Sequence, residues 1–92
     1  MKTIDPKLIN SIASTVATAN LGPSKFTSVS SAPTLDSTGR EALQITIYVD
    51  PFAARSITGE IAANTVFDMN KRLQDAGEER FSIVRYITPR SS

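Results

Sequence analysis

Along residues 42–50, ALQITIYVD, apolar and polar side chains alternate without a break. Leu43, Ile45, Ile47 and Val49 fall on one face, and Gln44, Thr46 and Tyr48 on the other. A period of two predicts a strand with one face on a core and one face free of it. Asp50-Pro51 ends the run, because proline has no N–H to give to a ladder. Residues 25–35, KFTSVSSAPTL, are rich in Ser and Thr with Phe26 and Val29 among them. They read as a strand of poor alternation, and Pro33 predicts an edge position or a bulge. The stretch 36–40, DSTGR, is a turn by composition, so these two strands form an antiparallel hairpin. Residues 81–88, FSIVRYIT, read as a third strand whose phase stays open. Phe81, Ile83, Arg85 and Ile87 alternate with Ser82, Val84 and Tyr86.

Two other segments carry the helical period. In the first, Asp5 is placed to cap and Pro6 suits the first helical position. Ile4 and Ile9 then occupy the two positions of a hydrophobic staple. Leu8, Ile12, Val16 and Ala19 form the expected apolar stripe, with Ile9 on its edge. Asn20-Leu21-Gly22-Pro23 ends this helix. The second starts near residue 58, with Ser56 or Thr58 as its cap. Its expected stripe is Ala62, Val66, Met69, Leu73 and Ala76, flanked by Ile57 and Ile61. Asp68 and Arg72 are four apart in the favourable order, and Gly77 marks the stop. Phe67 falls off the stripe, beside Glu60, Lys71 and Gln74, and is expected to be covered by the 51–57 connection or by a second subunit.

The element order αββαβ predicts an α+β, two-layer sandwich, a three-stranded mixed sheet with two helices on one face. A strand–helix–strand crossover leaves the second and third strands parallel. Residues 1–92 read as a single α/β domain without repeats, and 88–92 as a frayed tail.

Composition removes several kinds of chemistry. The 92 residues hold no Cys and no His. A disulfide framework, a thiolate nucleophile and an imidazole base are therefore excluded, and a zinc site loses its preferred ligands. Ten Lys and Arg against nine Asp and Glu give a net charge of +1, too little for strong nonspecific binding to nucleic acid. No run of 18 apolar residues is present, so no membrane span is expected. The opening MKTIDPKLIN lacks the apolar core of a signal peptide, which favours the cytoplasm. A domain of this size buries roughly 60–65% of its unfolded surface, and small α/β chains often gain further burial by dimerising.

Motif candidates are weak. Asp36-Ser37-Thr38-Gly39 is one residue too long for the Asp-Thr/Ser-Gly of aspartic proteases, and Arg40 follows where a small residue belongs. Gly22-Pro23-Ser24-Lys25 lacks the spacing of a phosphate-binding loop. The element order is distantly similar to that of type II KH domains, but their GxxG is absent and Gly59 stands alone. That likeness carries no function over. Arg55 stands near the start of the second helix, whose free N–H groups could meet an anion, though an ordinary capped start explains the same residues. Asp75, Glu78, Glu79 and Arg80 read as a solvated charged turn. Asp50 is a lone carboxylate at a strand end. No catalytic, cofactor or metal-binding residue is assigned.

What remains is surface. Gln44, Thr46 and Tyr48 lie on the free phase of the central strand. Arg85 and Tyr86 join them if the last strand has the right phase, and Phe67 stands on a polar helical face. The leading expectation is a non-catalytic protein–protein interaction module, a homodimer or the small partner of a larger protein, as an adaptor or antitoxin is. The alternative is a small RNA-binding domain stacking bases on Tyr48 and Tyr86, with Arg85 and Lys25 meeting phosphates. An enzyme without His or Cys chemistry comes third.

Overall fold

The computed structural model describes residues 2–88, and the expected frayed tail lies outside them except for Thr88, which has no regular structure. These residues form α1 (Pro6–Asn20), β1 (Phe26–Leu35), β2 (Glu41–Val49), α2 (Gly59–Asp75) and β3 (Phe81–Ile87), with a 3-10 turn at Ala54–Ser56. The fold is α+β, with the sheet order β1-β2-β3. β1 pairs with β2 antiparallel, and β2 with β3 parallel. β1 is an edge strand, the first of the two readings of Pro33, and its register runs unbroken through Pro33; a register shift falls instead at the start of the strand, between Phe26 and Ser28.

Local chemistry sets the element ends. The Asp5 carboxylate accepts from the Lys7 N–H at 2.7 Å, and Pro6 follows at the helix start. Gly22, at φ +103°, donates its N–H to the Thr18 carbonyl. Thr58, not Ser56, caps α2 by accepting from the Ile61 N–H at 3.2 Å. Gly77, at φ +101°, donates to Gln74 while Glu78 donates to Leu73. This paired arrangement closes a helix when the residue after its cap is left-handed. Asp68 holds Arg72 at 2.9 Å.

Both helices cover the face of the sheet that carries Leu43, Ile45, Ile47 and Val49, all of them buried. α1 lies over β1 and against α2, and α2 lies over β3. One cluster joins Ile9, Ala13 and Val16 to Leu43, Ile45, Met69 and Leu73, with Ile4 packed against it. A second joins Ala17, Leu21, Ile47 and Val49.

The helix faces differ from the sequence-based stripes. α1 buries Ile9, Ala13, Val16 and Ala17, while Leu8 and Ala19 are exposed and Ile12 is half-buried. The helix is turned so that the small side chains of Ala13 and Ala17, rather than Leu8, face inward. α2 buries Thr65, Met69 and Leu73, while Ala76 is exposed and Ala62 and Val66 are half-buried. Thr65 is tolerated there because its hydroxyl donates to the Ile61 carbonyl one turn back, at 2.7 Å.

Candidate interaction surface

The β2–β3 register fixes the phase of the last strand. Ser82, Val84 and Tyr86 stand beside Leu43, Ile45 and Ile47, on the helix-covered face. Phe81, Ile83, Arg85 and Ile87 stand beside Ala42, Gln44, Thr46 and Tyr48, on the opposite face. The two tyrosines therefore do not share a surface. Tyr86 packs against the second core cluster, and its hydroxyl is buried without a hydrogen-bond partner among the described residues. Burial pushes its phenol above the usual value.

A hydrogen-bond network explains why a serine occupies the core phase. Asn70 on α2 accepts from the Ser82 N–H at 2.8 Å and from its hydroxyl at 3.0 Å. The Asn70 amide nitrogen donates to the Val66 carbonyl. With its polar groups satisfied, Ser82 is buried and the apolar residues on either side of it turn outward.

The free face of the sheet is uneven as a result. β1 contributes Ser28, Ser30, Ala32 and Thr34 beside β2. On β2, Thr46 is only 7% exposed, while Gln44 and Tyr48 are half-buried. On β3, Phe81 is 66% exposed and Ile83 43%, with the exposed Arg85 between Ile83 and Ile87. Around the edge of β3, Phe67 is 73% exposed on the outer flank of α2. The 51–57 connection does not cover it, and Phe52 in that connection is itself 97% exposed. Val66, Phe67, Asn70, Lys71, Gln74 and Phe81 are among the residues lining an open groove of about 560 Å³ between α2 and the start of β3. Phe81 and Ile83 are the surface residues that sequence reasoning missed. Their signal was the strand's outward phase, which the buried Ser82 concealed.

The two sheet edges differ. β1 carries Pro33, a register shift and a Ser/Thr-rich sequence. Such features discourage pairing with another chain. β3 has neither proline nor lysine, and its register against β2 is unbroken.

The charged groups have structural work. Glu78 is buried, not solvated as expected. It accepts from the Ile4 N–H at 3.2 Å, the Arg80 N–H at 3.0 Å, Arg80 Nε at 2.8 Å and Arg80 Nη2 at 3.1 Å. The Arg80 side chain foremost holds the Glu78 carboxyl below its ordinary value, against the opposing effect of burial. Asp36 closes the β1–β2 turn by accepting from the Thr38 hydroxyl, the Arg40 N–H and the Thr38 N–H. Those bonds, led by the Thr38 hydroxyl, lower its carboxyl in the same sense. The Asp50 side chain accepts from the Phe52 N–H, as a turn residue does.

Among the described residues, no group of three or more carboxylates is placed to hold a metal ion, and no helix is long and apolar enough to cross a membrane. No protein-family model, curated protein or solved structure matches this chain.

Proposed function

We propose that the protein is a non-catalytic protein–protein interaction module whose contact surface is β3 with the adjoining flank of α2. The observation that carries this reading is the gathering of Phe67, Phe81 and Ile83 about the β3 edge of the sheet, which Asn70 caps only at Ser82. A single exposed apolar side chain needs no explanation. A contiguous set rimmed by polar groups such as Lys71, Gln74 and Arg85 is the usual mark of a protein contact. Aromatic residues and Arg are also the types enriched in such contacts.

Two features weigh against the other classes. Glu78 and Asp36 are occupied by hydrogen bonds that hold the fold, which leaves neither in the free, paired arrangement of an acid–base mechanism. The base-stacking alternative loses its two-ring platform, because Tyr48 and Tyr86 lie on opposite faces. Lys25 precedes β1, and Arg85 lies on β3 at the other edge of the sheet.

The test is a photo-reactive phenylalanine analogue placed at position 81 in cells that produce the protein, with the same analogue at Thr18 as control. Thr18 is exposed on α1, which lies over β1 at the opposite edge of the sheet from β3. The expected result is a covalent protein adduct from position 81 and little from position 18. An absence of protein adducts at 81, or equal labelling at both sites, contradicts the reading.

A further inference from the structure

The geometry points to a second copy of this chain as the occupant of that surface: β3 pairs antiparallel with the β3 of the other copy about Val84, and the two α2 helices meet at Phe67. This rests on the interaction reading above and names its partner.

The backbone supplies the first part. The Ser82 N–H is taken by the Asn70 side chain rather than by β2, so it points away from the sheet. N–H groups along a strand alternate sides, which sends the Val84 and Tyr86 N–H groups to the same free edge. By that alternation β2 does not take these donors, and the strand has neither proline nor lysine. A second copy of the strand satisfies the Val84 and Tyr86 donors, whereas Ser82 keeps its bond to Asn70 and gives none to the Tyr86 carbonyl that comes opposite it. β1 is unsuited to the same pairing because Pro33 and its register shift interrupt the edge.

The second part is symmetry. Val84 is the midpoint of β3, Phe81–Ile87, and Phe67 is the midpoint of α2, Gly59–Asp75. The Asn70–Ser82 bond sets the height of one element on the other. Phe67 lies three residues before Asn70, about 4.5 Å along the helix. α2 runs opposite to β3, so that rise corresponds to between one and two strand residues at about 3.3 Å each. Phe67 is therefore level with Ile83 and Val84. A single two-fold axis at that height passes the centres of both elements, which is the condition for a self-complementary contact.

Charge agrees with the same axis. Antiparallel α2 helices centred on Phe67 set Lys71 across from Ala63 of the second copy and one turn from its Glu60. All three residues are exposed in the single chain. On the strands, Phe81 comes opposite Ile87, and Arg85 opposite Ile83, so no like charges face each other. With about 200 Å² for each ring, Phe67 and Phe81 leave roughly 280 Å² of each copy in water. That is about a third of the ~800 Å² per partner in a standard interface, to which Ile83, Ala63, Gln74 and the strand backbone add.

The test follows single amides by hydrogen exchange in the wild-type chain at low micromolar and near-millimolar concentration. Exchange at Val84 and Tyr86 is expected to slow at least tenfold at the higher concentration, while β1 amides do not change. In parallel, Phe67→Cys gives the chain its only thiol, and a short bis-maleimide is expected to join two chains through it but not through Thr18→Cys. A concentration-dependent dimer in which Val84 and Tyr86 exchange freely overturns the strand pairing and leaves the interaction reading standing. A monomer whose position 81 labels a different protein overturns the second copy alone. A monomer with no adduct at position 81 overturns both.

Discussion

Glu78 shows how far a single side chain can depart from the reading of its neighbourhood. In sequence it belongs to a run of charges, and such runs are usually solvated. In the fold its carboxylate is enclosed by the Ile4 N–H, 74 residues away, and by the Arg80 backbone and guanidinium. It therefore joins the segment before α1 to the segment before β3, beside the Glu79 N–H donating to the Lys2 carbonyl. Removing its charge but not its shape, as in Glu78→Gln, is expected to lower stability at pH 7 by about 2 kcal/mol, the usual worth of charge-assisted bonds. The pH dependence has a definite sign. The folded carboxyl titrates below its ordinary value of 4.5, so the folded state binds fewer protons than the unfolded one in that range. The contribution is complete above the unfolded value and is lost as pH falls through the lowered folded value. The gap between wild type and Glu78→Gln in urea unfolding should narrow from pH 7 to pH 3. An equal gap at both pH values contradicts this account of Glu78.

Element boundaries were legible because caps and turns act over a few residues. Asp5, Pro6, Thr58 and Gly77 perform in the structure the tasks their chemistry suggested. Gly77→Ala forces an L side chain to φ +101° and is expected to cost about 1–2 kcal/mol. A change of 1 kcal/mol moves the melting temperature of a chain this size by roughly 4–8 °C. Gly59→Ala, at the start of α2 where an added Cβ meets nothing within 4 Å, is expected to stabilise by about 0.5 kcal/mol. Thermal unfolding of the pair checks both signs, and a neutral Gly77→Ala would show that the helix stop does not depend on glycine. The faces of the elements were less legible than their ends. α1 turns its alanines rather than Leu8 inward, and α2 buries Thr65 along with Met69 and Leu73. Hydrophobicity scales do not register that a small side chain admits close approach, or that a threonine can satisfy itself on its own helix. The phase of β3 was unreadable for a related reason. Ser82 looks outward-facing until Asn70, 12 residues earlier, is seen to hold it.

At the scale of the whole molecule, α and β order, strand direction and the covered face of the sheet followed from the hairpin and crossover rules. The contact surface followed only in part. Phe67 was visible as an apolar residue on a polar face, whereas Phe81 and Ile83 joined it once the β3 phase was fixed. Tyr86 left the candidate set by turning into the core, and Thr46 is almost covered within the single chain. What remains is an asymmetric object, with one sheet edge blunted by Pro33 and the other lined by apolar residues and free donors. A chain of 92 residues has little core to spare, and closing that edge against a second copy adds burial to both. The most direct measurement is the solution mass of the wild-type chain and of Phe67→Asp by light scattering over a range of concentrations. A contact between two copies through β3 and α2 gives twice the 9.9 kDa of one chain for the wild type at high concentration, and a single-chain mass with an unchanged circular dichroism spectrum for the variant. A wild-type chain that stays at 9.9 kDa throughout, or a folded variant that still dimerises, would contradict it.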